Sequence, residues 1–211
     1  MTRRWISTTC HDTWGCYAPQ PATVWSAPTA PEFRSARSPG YRALVGELEG
    51  WKHCPRCASD LRTEPGSVRC DSCGLVVYAK PAPAICGLVV DDAGRVLLGR
   101  RAHEPAAGRW DILGGFMNED EQPFETLKRE LREETGLDVE PAAFVGAVTD
   151  TYGEGGNATL NLCWTATIVS GEAAPSDDVS ELRWYEPDEL PGEEELAFSN
   201  TVELLRAWRT S

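Results

Sequence analysis

Apolar residues change their spacing several times along this chain, and each change marks an element. From Pro123 onward, Phe124, Leu127 and Leu131 recur as on one stripe of an amphipathic helix, while Glu130, Glu133 and Glu134 share another face. Proline suits the first helical turn, where its missing N–H would have had no partner. Upstream, Pro83 to Asp91 is an apolar run of strand length, Asp92-Ala93-Gly94 a turn, and Arg95 to Arg100 a second strand, together predicting a hairpin. Downstream, Ala143 to Thr151 and Ala158 to Val169 read as long strands and Glu181 to Tyr185 as a shorter one. A last helix is expected to start at Ser199 or Asn200 as its cap and to carry Val202, Leu205 and Trp208 on one side. Trp110 and Trp184 read as packing residues. Strands interleaved with two helices predict an α/β architecture, a sheet covered on both faces.

Residues 1–48 show neither period. They hold five of the fifteen prolines, many Ser, Thr and Ala, and scattered Trp5, Trp14 and Trp25, so they are expected to be a disordered or non-native extension. An organelle-targeting peptide and a reading frame extended upstream of Val45 both fit that composition. Cys10 and Cys16 lack a second nearby pair and read as incidental thiols. Removing residues 1–44 is expected to change neither stability nor activity. A small module at 49–80 and a main domain at 81–211 follow.

The module is defined by cysteine. Cys54-Pro-Arg-Cys57 and Cys70-Asp-Ser-Cys73 can offer four thiolates to one tetrahedral Zn2+. A segment this short buries too little apolar surface to fold alone, whereas structural zinc in small fingers contributes an apparent ~10 to 16 kcal/mol. With all four positions filled, the zinc is expected to be structural and His53 a bystander. Cys86 and Cys163 lie inside apolar strands and read as reduced, buried thiols. A disulfide framework is the weaker alternative.

Charge separates the segments. The net charge of −13 breaks down as +2 for residues 1–48, +1 for 49–80 and −16 for 81–211. Such acidity disfavours wrapping a nucleic-acid backbone, and the near-neutral ribbon is a poor reader of DNA or RNA. No apolar run reaches the length of a membrane span, so a cytoplasmic protein without membrane partners is expected.

Glu130, Glu133 and Glu134 repel one another, at roughly 0.2 to 0.5 kcal/mol per pair on an exposed helix, and a hard divalent cation would offset this. Their setting is specific. Gly115, five residues, Glu121, seven residues, Arg129-Glu130-Leu131, one residue, Glu133-Glu134, one residue and Gly136-Leu137 resemble the Nudix box at every fixed position. Leu113 stands where the family usually has proline, and Asp120 where it usually has glycine. Ribbon and box in this order, with Leu196-Ala-Phe-Ser199 after them, resemble the zinc-ribbon Nudix hydrolases, a group that includes NADH, ADP-ribose and FAD pyrophosphatases.

That resemblance implies a Nudix α/β/α sandwich with a mixed sheet and metal-dependent cleavage of a nucleoside diphosphate linked to another moiety. It implies Mg2+ or Mn2+ on Glu130, Glu133 and Glu134, with the Gly115 carbonyl as a further ligand, Arg129 orienting a glutamate and Glu121 supporting the loop. Candidates for the general base are Glu130, which is favoured, Glu154 and Asp178. Arg100, Arg101 and Arg109 are candidates for phosphate contacts, and Tyr152 and Phe198 for stacking on a base. The implied partner is a small nucleotide substrate; a homodimer is left open. Hydrolysis of oxidised nucleoside triphosphates is the alternative within the same chemistry. A non-catalytic nucleotide-sensing module is another, but it would be expected to carry a broken box.

Overall fold

The computed structural model describes residues 46–153 and 156–210. The expectations for residues 1–45, including Cys10, Cys16 and the three early tryptophans, and the candidacy of Glu154 lie outside the described residues. No helix among the described residues is long and apolar enough to cross a membrane.

A short antiparallel sheet comes first, made of β1 (Arg62–Glu64), β2 (Ser67–Arg69) and β3 (Val76–Tyr78) in that order. Its small apolar centre is Val68, fully buried together with Cys70. The four-cysteine pattern therefore flanks strands too short to hold a core of their own.

The larger sheet has seven strands. Its path runs β10 (Val179–Tyr185), β5 (Val96–Arg101), β4 (Ala82–Val90), β9 (Asn157–Ser170), β8 (Asp138–Tyr152), with β6 (Trp110–Asp111) on β5 and β7 (Leu113–Phe116) on β4. β4 and β9 are parallel and every other pair is antiparallel, so the sheet is mixed. Helix α1 (Pro123–Thr135) covers one face and α2 (Ser199–Arg209) the other.

β4 explains why its sequence is apolar throughout. Ile85 and Val89 pack with Leu127 and Leu131 of α1, whereas Cys86 and Leu88 pack with Leu204 and Leu205 of α2. A central strand covered on both sides leaves no polar parity. Gly87 lets α1 approach, since a Cβ there would lie 2.8 Å from Leu131.

Three details differ from the sequence reading. The β4–β5 hairpin pairs only through Val89↔Leu97 and Val90↔Val96; β4 then pairs with β7, leaving β5 to β6 and β10. That divergence admits the Gly114-Gly115 strand to the centre of the sheet. Phe124 is 48 % exposed and meets the edge of Trp164 at 5.3 Å, because the first turn of α1 lies over β9. Finally, Phe198 occupies the cap position of α2, and neither Ser199 nor Asn200 caps it as expected. The Asp150 carboxylate does so from β8, accepting the Asn200 N–H at 2.8 Å and the Ser199 hydroxyl at 2.7 Å.

Candidate active site

The cysteine knuckles repeat one geometry. Ala58 donates its N–H to the Cys54 carbonyl and Gly74 to that of Cys70, and both residues take positive φ, 60° and 75°. The four Sγ atoms lie within 4.8 Å of one another, with Cys54–Cys73 at 3.6 Å and Cys57–Cys70 at 3.5 Å. A tetrahedron of sulfurs on Zn2+ has edges of about 3.8 Å, so the donor set fits that ion. His53 faces Asp60 instead, with both side chains exposed.

The second site is built around α1. Pro123 opens the helix, Gln122 donates its N–H to Glu125 at 2.8 Å, and Gly136 closes it at φ 72°. Phasing set by these ends turns Glu130, Glu133 and Glu134 toward β7. Gly114 sits at φ 141° with no space for a side chain: an added Cβ would lie 2.2 Å from the Ile85 carbonyl oxygen. At Gly115 it would lie 2.4 Å from the Glu130 carboxylate. The two glycines thus bring bare backbone against the acids. Gly114 donates its N–H to Glu134 at 2.8 Å.

Arg129 organises the rest. Its guanidinium donates to Glu121 at 2.5 and 2.9 Å, to Glu130 at 2.8 Å, to Glu133 at 3.0 Å and to the Phe116 carbonyl at 3.2 Å. Hydrogen bonds from Arg129 hold the Glu121 carboxyl well below the usual range. Glu130 is shifted the other way, raised by burial against the opposing pull of Arg129. Glu134, only 8 % exposed, is raised well above its ordinary value by burial, with Glu130, Asp111 and Asp178 adding to the shift.

Glu130, Glu133 and Glu134 line a cleft of about 370 Å³. Among the described residues Glu134 forms no ion pair with a cation, and buried carboxylates facing one another are the donor set of a hard divalent ion. Among the described residues, however, only the cysteine group already converges within 4.8 Å. Glu130 and Glu133 are drawn to Arg129, so ion binding here requires those two side chains to turn.

Beyond the acids, the cleft holds a cation among rings. Arg101 donates to Tyr152 Oη at 3.0 Å, to the Pro105 carbonyl at 2.7 Å and to Asp111 at 3.4 Å, with its guanidinium carbon 5.1 Å from the Phe198 ring centre. Tyr152 meets Phe116 edge-on at 5.5 Å and Phe198 at 5.6 Å. Asp111 also accepts the Ile112 N–H and the Thr201 hydroxyl, and burial pushes its carboxyl up to about 6 despite Arg101 and Thr201.

Glu130, Glu133, Glu134, Arg129, Gly115, Asp178, Arg101, Tyr152 and Phe198 therefore share one cleft. Arg100 and Arg109 do not line it. Arg100 donates to the Gly108 carbonyl and Glu181, and Arg109 to the Leu196 carbonyl. Adjacent strand residues face opposite ways, so only one arginine of the Arg100-Arg101 pair can enter. Trp110 packs edge-on to Tyr185, and Arg95 lies over Trp184. Phe116, Asp111 and Asn161 also line the cleft and were not anticipated. An Asn inside the apolar run Leu160-Asn161-Leu162-Cys163 was the available signal for the last.

The chain is similar to known proteins over more than half of its length. The NUDIX domain model matches residues 80–206. The chain is 28 % identical over 156 residues to a protein named NAD-capped RNA hydrolase NudC from Stutzerimonas stutzeri, covering 72 % of this chain and 54 % of that one. It is 27 % identical to an ADP-ribose pyrophosphatase from Methanocaldococcus jannaschii, covering 59 % and 71 %. The chain spans about half the length of the NudC relative. Among solved structures, a NUDIX hydrolase from Nitrosomonas europaea superposes with a TM-score of 0.62 at 22 % identity, covering 75 % of this chain and 90 % of the other, which bears on the fold alone.

Proposed function

Since the chain belongs to the Nudix family, we propose that it hydrolyses the diphosphate bond of a nucleoside diphosphate joined to another moiety, of the NADH, ADP-ribose or FAD type. The observation that carries this reading is the approach of Gly114 and Gly115 to Glu134 and Glu130 in a cleft that Arg101, Tyr152 and Phe198 also line. The acids suit a diphosphate with its cation, and the aromatic rings suit a flat base.

Glu130, Glu133 and Glu134 would hold Mg2+ or Mn2+, with the Gly115 carbonyl as a further ligand. When bound, such ions supply charge neutralisation on the diphosphate and a lowered pKa for a bound water. Arg129 holds Glu130 and Glu133 beside the cleft, from where their carboxylates would turn to the ion, and keeps Glu121 ionised beneath the loop. We assign Glu130 the proton of the attacking water; its carboxylate lies beside the Gly115 backbone in the cleft. Arg101 supplies the cleft with a positive group not engaged by the acidic helix. Tyr152 and Phe198 offer faces on which a base can stack.

The cysteine cluster is assigned to one structural Zn2+, with the ribbon at 49–80 and the hydrolase domain at 81–211. Acidity in the latter segment supports a free nucleotide as substrate over a nucleic acid. The test is chromatography of products across a panel of NADH, ADP-ribose, FAD and nucleoside triphosphates with Mg2+ or Mn2+. Two phosphomonoesters from a dinucleotide are expected. Pyrophosphate release from triphosphates without dinucleotide cleavage would reverse the assignment.

A further inference from the structure

Asn161 lies within β9, in register with Ala84 of β4 and Val148 of β8, and is 7 % exposed. Its Nδ2 donates to the Val148 carbonyl at 3.3 Å and to Thr159 Oγ1 at 3.0 Å. A backbone carbonyl only accepts, so the first contact fixes which end of the amide is nitrogen. Among the described residues, Oδ1 receives no side-chain or backbone donor. Yet among the described residues no fully enclosed side-chain oxygen or nitrogen lacks a partner. Oδ1 is therefore open to space, and the space beside Asn161 is the cleft.

Two carboxylates of the cleft are committed elsewhere. Asp111 is held by Arg101, Ile112 and Thr201, and Asp150 by Thr151, Ser199 and Asn200. Ile112, Cys86 and Leu204 line the same cleft and give it apolar surface. A nearly buried, neutral acceptor held in one orientation and open to the cleft suits a flat heterocycle that carries a donor on its edge.

We propose that Asn161 Oδ1 reads the 6-amino group of an adenine, making Asn161 the residue that sets base preference. This rests on the reading that the cleft takes a nucleotide of the NADH, ADP-ribose or FAD type. All three carry adenine, and its edge offers no other hydrogen-bond donor once N9 bears the sugar.

The test is calorimetric binding of AMP and of purine riboside 5′-monophosphate, which lacks only the amino group, to the full chain with Mg2+. Wild type is expected to favour AMP by about five- to tenfold, the scale of one neutral hydrogen bond. Asn161→Leu should bring the ratio to about one by weakening AMP alone, with circular dichroism confirming the fold. Equal affinity of wild type for the two ligands, or no AMP binding, overturns the inference without any variant. So does a folded Asn161→Leu that keeps the wild-type ratio. If 2′-deoxy-AMP rather than the deaminated ligand shows the Asn161-dependent loss, the oxygen reads ribose and the inference falls. Discrimination without turnover on the substrate panel would remove the hydrolase reading alone; turnover without discrimination would remove this one alone.

Discussion

The Gly114 N–H donates to the Glu134 carboxylate at 2.8 Å, tying β7 to the last turn of α1 across twenty residues of sequence. Helix spacing alone puts Glu134 on a charged face with Glu130 and Glu133, yet it is buried while Glu133 keeps 48 % of its side chain exposed. Repulsion between exposed helix charges is thus the wrong scale for Glu134; desolvation governs it.

Glu134→Gln should therefore separate folding from activity. The amide oxygen can still accept the Gly114 N–H, and a buried charge is removed. Without Mg2+ or Mn2+ the variant should melt at or above wild type. With metal the order should invert, and turnover should fall roughly a hundredfold or more. Thermal melts with and without metal, paired with phosphate-release assays, check this; an unchanged metal-induced shift with near-normal turnover would mean that this face is not the metal site.

The two loop glycines should fail differently. At Gly114 an added Cβ meets the backbone oxygen of Ile85 at 2.2 Å, with φ at 141°, so Gly114→Ala should cost about 3 kcal/mol or more of stability. At Gly115 the clash is with the mobile end of Glu130, so Gly115→Ala should fold within about 1 kcal/mol of wild type and lose turnover. Urea unfolding and rate assays on both variants distinguish strain from displaced chemistry.

Asp111 should leave a pH signature. Its folded carboxyl titrates at about 6 against a reference of 3.8, so between those values the folded state binds more protons than the unfolded one. Stability from this group is therefore fully present below the lower value and is lost as pH rises through the upper one. The move from 3.8 to about 6, at ~1.4 kcal/mol per tenfold change in proton affinity, amounts to about 3 kcal/mol. The stability of wild type relative to Asp111→Asn should fall by that order between pH 4 and pH 7 in denaturant titrations. A pH-independent difference would show that Arg101 and Thr201 compensate its burial fully.

The cysteine cluster should bind one zinc per chain. Elemental analysis of the purified protein should find it, and Cys57→Ser with Cys73→Ser should lose it. Equal zinc in that double variant would place the metal elsewhere.

The box from Gly115 to Leu137, the two knuckles and most strands could be read from the sequence because each rests on local spacing. Helix period sets which glutamates share a face, and a C-x-x-C turn brings two thiols together whatever surrounds them. Charge partition and the apolar β4 were legible for the same reason. What required the tertiary structure was everything decided by strand divergence and by which parity faces the cleft. Arg101 enters the cleft while Arg100 and Arg109 bond elsewhere, since strand alternation admits one residue of an adjacent pair and only the assembled sheet says which. Asp150 caps α2 from fifty residues away, and Asp111 reaches Thr201 over ninety, contacts that no local period encodes. Asn161 faces the cleft because β9 is parallel to β4 in one register; a shift by one residue would put Leu160 or Leu162 there instead.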